Sequence, residues 1–409
     1  MKKLTLAVLA GVPLIMVLGN SMLIPVLPAL GKALNVSSFQ AGLIITLFSV
    51  PAGLTIPFSG LFADRFGRRA VLLPALALYA LGGLAAGIAW LVFKENAYLY
   101  ILASRVVQGI GAAGTAPVAM TLVGDFFGGG QRSRALGVLE AANGTGKIIS
   151  PVLGAAIGTL AWFYPFFVFP AFVLPVFLAV LFLISEPPSQ RRTPNLEEYF
   201  SIIKSVFKQK GGCLGGAFFA GMTGLLILFG LLFFLSEHLE TARRIEGIIK
   251  GFWLAVPVFF MCATSYATGS AIKKKLDLMP AVVAAGLLLL TGALVSLIFL
   301  HGTFLFFTGI SVAGIGTGLT LPCLNTLVTS SVGPNARGIV TAFYGGVRFL
   351  GVAVGPPLFA LLLDYSTCLT FGVAAGLTGL AALVTFLFVH GSTVANPLHV
   401  DGGEMNRKK

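Results

Sequence analysis

The sequence has 409 residues, of which 57% are hydrophobic and only 10% are charged, and its mean hydropathy is +0.96. Soluble globular proteins carry about 25% charged residues, so this composition excludes a soluble domain and predicts a protein whose solvent is lipid. The formal net charge of +13 would also suit a nucleic-acid binder, and the positions of the basic residues must decide between the two interpretations.

Twelve apolar runs are long enough to cross a bilayer, which takes about 20 residues in a helix. They predict an all-α integral membrane fold. The first run follows Lys2-Lys3 but is longer than the apolar core of a cleaved signal peptide, so we expect it to be retained. The predicted spans are 5–30, 39–63, 70–93, 98–124, 134–158, 161–184, 212–236, 247–271, 278–300, 303–328, 337–362 and 366–390.

A charged loop, GLFADRFGRR, separates spans 2 and 3. Gly60 allows close approach of a neighbouring helix, Gly67 permits a tight turn, and Asp64 can offer its carboxylate to a helix N-terminus. The arginines of this loop can bind carboxylates bidentately, and Asp125 at the end of span 4 is the expected partner of one of them. The alternative is that these charges only anchor the topology. The arginines are Arg65, Arg68 and Arg69.

Ionisable and amide side chains inside the spans are few, and such residues are costly in lipid and usually functional. Glu140, Asn143 and Lys147 in span 5 are spaced by three and four residues, which places them on one helical face. Glu140 is the one carboxylate within a span away from its ends, so we expect it to carry the coupled proton. The alternative is a static ion pair with Lys147 or Arg348. The remaining candidates for a transport pathway are Asn20, Arg105 and Asn325.

The longest polar stretch divides six spans from six. It predicts an N-terminal six-helix bundle at 1–185, a cytoplasmic linker at 186–211 with a short amphipathic segment along the membrane surface, a C-terminal six-helix bundle at 212–392 and a cytoplasmic tail at 393–409.

The two halves repeat each other at an offset of 205 residues. GIGAAGTAPVAMTLV at 109–123 aligns with GIGTGLTLPCLNTLV at 314–328, with 8 of 15 positions identical. Because each copy holds an even number of spans, both insert in the same orientation. Parallel repeats of this kind predict a rocking two-domain transporter with its substrate site between the halves.

The basic residues concentrate at the termini and in alternate loops, as in 65–69 and 273–275. This asymmetry is that of the positive-inside rule, and it places both termini in the cytoplasm. It explains the basicity without nucleic acid.

Three motifs resemble those of the major facilitator superfamily, and of its 12-helix drug:proton antiporters in particular. The loop at 60–69 matches the pattern G-x-x-x-D-R-x-G-R-[RK] completely, and RVVQGIGAAG with Arg105 resembles R-x-x-Q-G-x-G-A. GKIISPVLGAAIG resembles G-x-x-x-G-P-x-x-G-G, with departures at Ser150 and Ala155. The glycines and prolines of this last motif, in its two copies, are Gly146 and Pro151, and Gly351, Gly355 and Pro356.

The resemblance implies a monomer in the cell membrane, surrounded by lipids, that exports small lipophilic compounds by proton antiport and alternating access. It also implies that the loop at 60–69 latches the inner side of the outward-facing state. The small residues and prolines suit helices at the moving interface between the halves, and the alternative is ordinary tight packing. Asn20 departs from the resemblance, since many drug antiporters have an acidic residue there.

No phosphate-binding loop, nucleophile triad or metal-ligand spacing is present in the sequence. We therefore expect neither an enzyme nor an ATP-driven pump, and no cofactor or metal. The excess of cations over carboxylates within the spans keeps one alternative open, which is export or flipping of an anionic lipid or glycolipid.

Overall fold

The computed structural model describes residues 2–186, 196–272, 275–299 and 303–389, and most of these residues lie in α-helices. The predicted tail at 393–409, residues 187–195 of the predicted linker and Lys273-Lys274 lie outside the described residues. The helices are α1 (Lys2–Ser21), α2 (Leu27–Leu34), α3 (Ser38–Phe66), α4 (Arg68–Phe93), α5 (Tyr98–Ala113), α6 (Ala116–Phe126), α7 (Gly129–Gly158), α8 (Tyr164–Leu183), α9 (Leu196–Thr241), α10 (Gly247–Ile272), α11 (Met279–Phe299), α12 (Thr303–Ser330), α13 (Pro334–Leu363) and α14 (Thr367–Phe388).

Ten helical segments of the described chain are long and apolar enough to cross a membrane. One of them, Arg68–Phe126, contains the two predicted spans 70–93 and 98–124. Helix α7, which covers the predicted span 134–158, is not among the ten, and it is a comparatively polar helix with several charged residues. The chain is thus an all-helical, multi-pass membrane protein.

Two predicted spans are interrupted in the structure. The run at 5–30 was expected to form one helix, but α1 ends at Ser21 and a 3₁₀ turn at Ile24–Val26 leads into α2. Pro25 lies in this turn, and proline removes a backbone donor that an α-helix needs. The run at 98–124 is likewise divided into α5 and α6, because residues 114–115 leave the helical conformation.

Short polar motifs set the turns between helices. Ser37 begins α3 with a capping box, in which its side chain accepts from the Gln40 backbone and the Gln40 side chain accepts from the Ser37 backbone. Gly67 separates α3 from α4 at a φ of 104°, a conformation that favours glycine. We name the two ends of the helix bundle after residues in these turns. The end with the turn before α3 is the Asn35 side, and the end with the turn after α3 is the Gly67 side.

The second part of the predicted linker is helical and belongs to a longer helix. Helix α9 begins at Leu196, within the predicted linker, and continues to Thr241 with a bend at Lys210. The Lys210 ammonium group donates to the Ser331 carbonyl at 2.9 Å. The bend is therefore fastened to the end of α12, and the linker segment is continuous with the seventh predicted span.

The helix packing repeats between α1–α8, here called the first half, and α9–α14, the second half. Helix α7 packs on α1 as α13 packs on α9. Across the halves, α3 packs on α13 and α7 packs on α10. We call these two cross-half contacts the α3–α13 seam and the α7–α10 seam.

Candidate transport pathway and its gating contacts

The Asn35 side is closed by a carboxylate held between two lysines. Glu240 of α9 forms ion pairs with Lys32 of the first half at 2.7 Å and with Lys250 of α10 at 2.8 Å. Lys250 is buried and also donates to the Pro25 carbonyl at 2.8 Å. Because the bonds run from the second half to both α2 and the turn before it, this cluster joins the halves.

Two neutral donors extend this closure. Ser38 donates to the Glu237 carboxylate at 2.8 Å, and Ser236 donates to the Ile24 carbonyl at 2.9 Å. Ser236 is buried, so water has little access to this contact. Sequence analysis did not predict this cluster, because its charged residues are distant in sequence and become partners only when the two halves pack together.

The α3–α13 seam is a backbone-to-backbone contact. A Cβ atom on Gly53 would lie 2.8 Å from the Gly346 carbonyl oxygen, a distance that real Cβ atoms do not tolerate. Farther toward the Asn35 side, Thr46 donates to the Ala353 carbonyl at 2.6 Å. Close packing through small residues is how helices associate strongly in lipid.

The α7–α10 seam has the same character. A Cβ atom on Gly251 would lie 2.8 Å from the Pro151 carbonyl, and Cys262 lies 3.8 Å from the Gly144 carbonyl. Pro151 therefore faces the other half, as does its repeat partner Pro356, which lies against Gly42 of α3.

The glycines of the same motif face their own half. Gly146 packs on Leu14 of α1, Gly351 packs on Met222 of α9, and Gly355 packs on Leu226 of α9. The prolines and the glycines of the motif therefore make different contacts. The prolines lie in the two seams, and the glycines pack the seam helices against α1 and α9.

A buried polar cluster surrounds Arg105. Its guanidinium group donates to Asn20 Oδ1 at 2.8 Å, to the Gly19 and Ile44 carbonyls at 3.0 and 3.1 Å, and to Gln108 Oε1 at 2.5 Å. It also lies 4.4 Å from the centroid of the Phe48 ring. Asn20 in turn donates to Ser49. Arg105 is fully buried and well supplied with acceptors, so this arrangement joins α1, α3 and α5 rigidly.

On the Gly67 side, Arg68 is held between two carboxylates. It pairs with Asp64 at 3.0 Å and is in direct contact with the Asp125 carboxylate of α6. Arg68 is buried at 7% relative exposure, whereas the Asp64 and Asp125 side chains keep part of their surface in solvent.

A third carboxylate, from Glu186, caps the beginning of α4. It accepts from the backbone N–H groups of Arg68 at 2.6 Å and Arg69 at 2.9 Å. A helix N-terminus carries partial positive charge and unpaired N–H donors, and a carboxylate there is stabilising. Sequence analysis assigned this capping role to Asp64, which the structure places on Arg68 instead. Arg69 donates to the Leu181 carbonyl at 2.5 Å, which adds a second tie from α4 to α8.

Two features of the charged loop differ from expectation. Gly60 has nothing within 4 Å of where a Cβ atom would stand, so it makes no close helix contact in this state. Within the described residues, the ion-pair and hydrogen-bond partners of Asp64, Arg68 and Arg69 all belong to the first half, and their network coexists with a closed Asn35 side. The expected latch would hold the opposite state, with the Asn35 side open. Arg65 is exposed and lies beside the Phe66 ring.

Between the seams, polar side chains from the two halves face one another. Arg348 of α13 donates to Asn325 Oδ1 of α12 at 3.2 Å and lies over the Tyr344 ring. Lys147 of α7 interacts electrostatically with Arg348, which repels it, and with Glu140, which attracts it. We call this group the central cluster.

Glu140 lies inside a predicted membrane span, but it is exposed in the structure. The Gly67-side end of α7 carries further exposed residues, including Arg132 and Arg134, because α7 packs on α10 only farther along its length. Asn143 is half-buried. Within the described residues, no ion pair joins Glu140 to Lys147 or Arg348, so the static pair considered for Glu140 is absent from this state.

A tyrosine of the linker segment also touches both halves. Tyr199 donates to the Pro57 carbonyl of α3 at 2.6 Å, and its ring contacts Phe58 and Phe343. It is almost completely buried. The α3–α13 seam is therefore covered on the Gly67 side by the beginning of α9.

Comparison with known proteins agrees with this architecture. The sequence profile described as Major Facilitator Superfamily matches residues 9–356 and 280–404. The chain belongs to the Major Facilitator Superfamily. Membership makes it a transporter and not an enzyme.

Curated relatives within the superfamily are similar over most of their length. The chain is 44% identical over 369 residues to the bacillibactin exporter of Bacillus subtilis (strain 168), covering 90% of this chain and 92% of that one. It is 26% identical over 403 residues to the class E tetracycline resistance protein of Escherichia coli, covering 93% and 94% of the two chains.

Solved structures share the fold at low sequence identity. The human organic anion transporter MFSD10 (TETRAN) superposes with a TM-score of 0.72 at 19% identity, covering 94% of this chain and 99% of that one. A D-xylose-proton symporter gives a TM-score of 0.71 at 16% identity, covering 97% and 98%. Both similarities concern the major facilitator fold alone.

Proposed function

We propose that this chain is a secondary active exporter of small lipophilic organic compounds that works by proton antiport and alternating access. The observation that carries the proposal is the 44% identity to a bacillibactin exporter over nine-tenths of both chains. The tetracycline resistance protein that also matches supports export of organic compounds. The protons and the substrate are the partners, and the cell membrane is the location.

The Gly67 side is assigned to the cytoplasm, because it carries the basic loop at 60–69. Both termini then lie inside, and the structure represents a state that is closed to the exterior. In this scheme residues 1–185 and 212–392 move as two bodies, residues 186–211 connect them, and the tail at 393–409 is cytoplasmic.

Transport requires that the Asn35 side opens. The Lys32–Glu240 ion pair and the hydrogen bond from Lys250 to the Pro25 carbonyl hold it shut, and separating the halves exposes these groups to water. Water then replaces the lost partners, so such a gate is reversible at modest cost. The two seams remain as the contacts about which the halves rock.

Glu140 is our candidate for the proton carrier. A coupled carboxylate must meet water in one state and a less polar environment in the other, since burial favours its protonated form. In the structure it is exposed, on the helix that forms the α7–α10 seam. Closure of the Gly67 side would bury it next to Lys147.

The Arg68 network is proposed to set the position of the Gly67 side. It ties α3, α4 and α6 into one unit, and Glu186 adds the end of α8. A first half that is rigid at this end can dock against the second half in a defined way when the Gly67 side closes.

The central cluster favours a second candidate function, because its two cations also suit a lipid head group. In this alternative the chain exports or flips an anionic lipid or glycolipid. The similarity to a bacillibactin exporter and to a tetracycline resistance protein favours the first candidate.

Everted membrane vesicles test the proposal. Vesicles from cells that produce the chain should take up tetracycline when a respiratory substrate energises them, and a protonophore should abolish the uptake. Vesicles from cells without the chain are the control. Uptake that persists in the presence of the protonophore would contradict proton antiport. Equal uptake in both vesicle preparations would contradict export of this compound class.

A further inference from the structure

Two cations of the central cluster lack carboxylate partners. Within the described residues, neither Lys147 nor Arg348 forms an ion pair, and the two cations belong to the seam helices α7 and α13 of opposite halves. Bringing like charges together in a low-dielectric region is unfavourable. A membrane protein that keeps such a pair usually does so for a ligand or an ion pathway.

Buried polar atoms around these cations are also without partners. Arg348 Nε, the Tyr344 hydroxyl and Asn143 Oδ1 have no hydrogen-bond partner within the described chain, although all three atoms are buried. Most buried polar atoms in native proteins are satisfied, and each exception calls for an explanation. The Arg348 and Asn143 exceptions are explained together by a polar ligand, whereas the Tyr344 hydroxyl lies against Gly221 of α9 in the core of the second half.

The charge of that ligand follows from the balance of the cluster. Lys147 and Arg348 contribute two positive charges, and Glu140, two turns from Lys147 along α7, contributes one negative charge that contacts neither. A cavity with excess positive charge and low-dielectric walls attracts anions. The Arg348 guanidinium group has one nitrogen bonded to Asn325, and its remaining donors can bind two oxygens of one acidic group.

We propose that the central cluster is the recognition site for an organic anion, whose acidic oxygens bridge Lys147 of the first half and Arg348 of the second. The proposal rests on the proposed export function and specifies its substrate class. The Asn143 and Asn325 amides lie beside the two cations and can bind neutral oxygens of the same ligand. Because the ligand touches both halves, rocking of the halves would separate its two cationic contacts and release it.

Binding of a matched pair of dyes to the purified full-length chain tests the charge preference. Fluorescein and rhodamine 123 share a xanthene ring system, but fluorescein is an anion and rhodamine 123 a cation near neutral pH. We expect fluorescein to bind, measured by fluorescence anisotropy in detergent, and rhodamine 123 to bind at least about tenfold more weakly. This comparison uses the unmodified protein and needs no variant to fold.

Variants then locate the site. K147Q and R348Q should each weaken fluorescein binding about tenfold, and R348K should lose less because it keeps the charge but not the paired donors. R134Q is the matched control, since it removes an exposed cation from the same helix as Lys147. Equal affinity for the two dyes, or unchanged fluorescein binding in the K147Q/R348Q double variant, would overturn the proposal.

A further experiment with lipids distinguishes a free organic anion from the head group of an anionic lipid as the ligand. In proteoliposomes with fluorescently labelled phosphatidylglycerol, flipping that the double variant abolishes would support the same site with a lipid head group as its ligand. The vesicle assay with tetracycline reports separately on the export function. Tetracycline uptake without preferential binding of fluorescein would overturn the anion site but not the export function. Fluorescein binding without energised tetracycline uptake would overturn the export function but not the anion site.

Discussion

Arg105 donates a hydrogen bond to Asn20 Oδ1 at 2.8 Å, and through this bond α5 is fixed to the end of α1 where the first predicted span breaks. An acidic residue at position 20 would make a buried ion pair with Arg105. Asn20 Oδ1 is instead a neutral acceptor, and the amide nitrogen of Asn20 donates a second hydrogen bond to Ser49. Position 20 in this chain therefore serves packing of the first half and does not carry a proton.

Replacing Arg105 by alanine is expected to destabilise the protein. The change leaves Asn20 and Gln108 with unpaired polar atoms in a fully buried cluster, at a cost of at least about 2 kcal/mol. The measurement is the thermal unfolding midpoint of the purified chain. The exposed Arg134→Ala variant should unfold near the wild-type temperature, and an equal midpoint for both variants would contradict a structural role for Arg105.

Asp64→Asn is expected to slow transport while leaving the protein inserted. Arg68 keeps Asp125 but loses one of its two carboxylates, so the tie between α3 and α4 weakens. The rate of energised tetracycline uptake, normalised to the amount of protein in the vesicles, is the readout. A normal rate would show that the Arg68 network contributes only to topology.

Glu240→Gln is expected to favour opening on the Asn35 side. The substitution leaves Lys32 and Lys250 facing one another without their shared carboxylate. Opening can be followed by labelling Ser236→Cys with an impermeant maleimide, in a background where the exposed Cys368 is replaced by serine. We expect faster labelling in Glu240→Gln than in the parent.

The control for this gate is Lys94→Gln. Lys94 is an exposed cation on the same side, and its ammonium group lies 5.7 Å from the centroid of the Trp90 ring. Equal labelling rates in the parent, the control and Glu240→Gln would mean that the ion pairs do not hold the halves together.

Glu140→Gln is expected to abolish uphill transport driven by a proton gradient while preserving exchange of substrate across the membrane. Glutamine keeps the size and polarity of the side chain but cannot bind and release a proton. Counterflow in proteoliposomes measures exchange, and uptake against a gradient measures coupling. Loss of both activities in a folded variant would assign Glu140 a structural role, and retained uphill transport would place the proton site elsewhere.

Hydropathy and the repeat were sufficient to predict the helical membrane fold, because span length and apolar content are set locally by the bilayer. They were insufficient at two breaks, near Pro25 and at residues 114–115. At both breaks the sequence is apolar before and after the interruption of the helix, so the hydropathy pattern does not reveal it. The same is true of α9, whose bend at Lys210 depends on the distant Ser331 carbonyl.

The candidate site was predictable in its residue types more than in its contacts. A pairing of Asp125 with one arginine of the charged loop was expected, and in the structure that arginine is Arg68. The roles of Glu186 and Glu240 were not foreseen, because each carboxylate meets its partners only after helices distant in sequence are packed together. The exposure of Glu140 was missed for a different reason, since it depends on which side of the molecule is open.

The α3–α13 seam limits where this protein can change during evolution. At Gly53 and Gly346 the two backbones meet with no room for a side chain, so a mutation there would push the halves apart whatever the substrate. Positions around the open space between the halves face no such restriction, because a new side chain there has solvent to grow into. New substrate preferences can therefore arise by substitution around the cavity while the surfaces that move past each other stay the same.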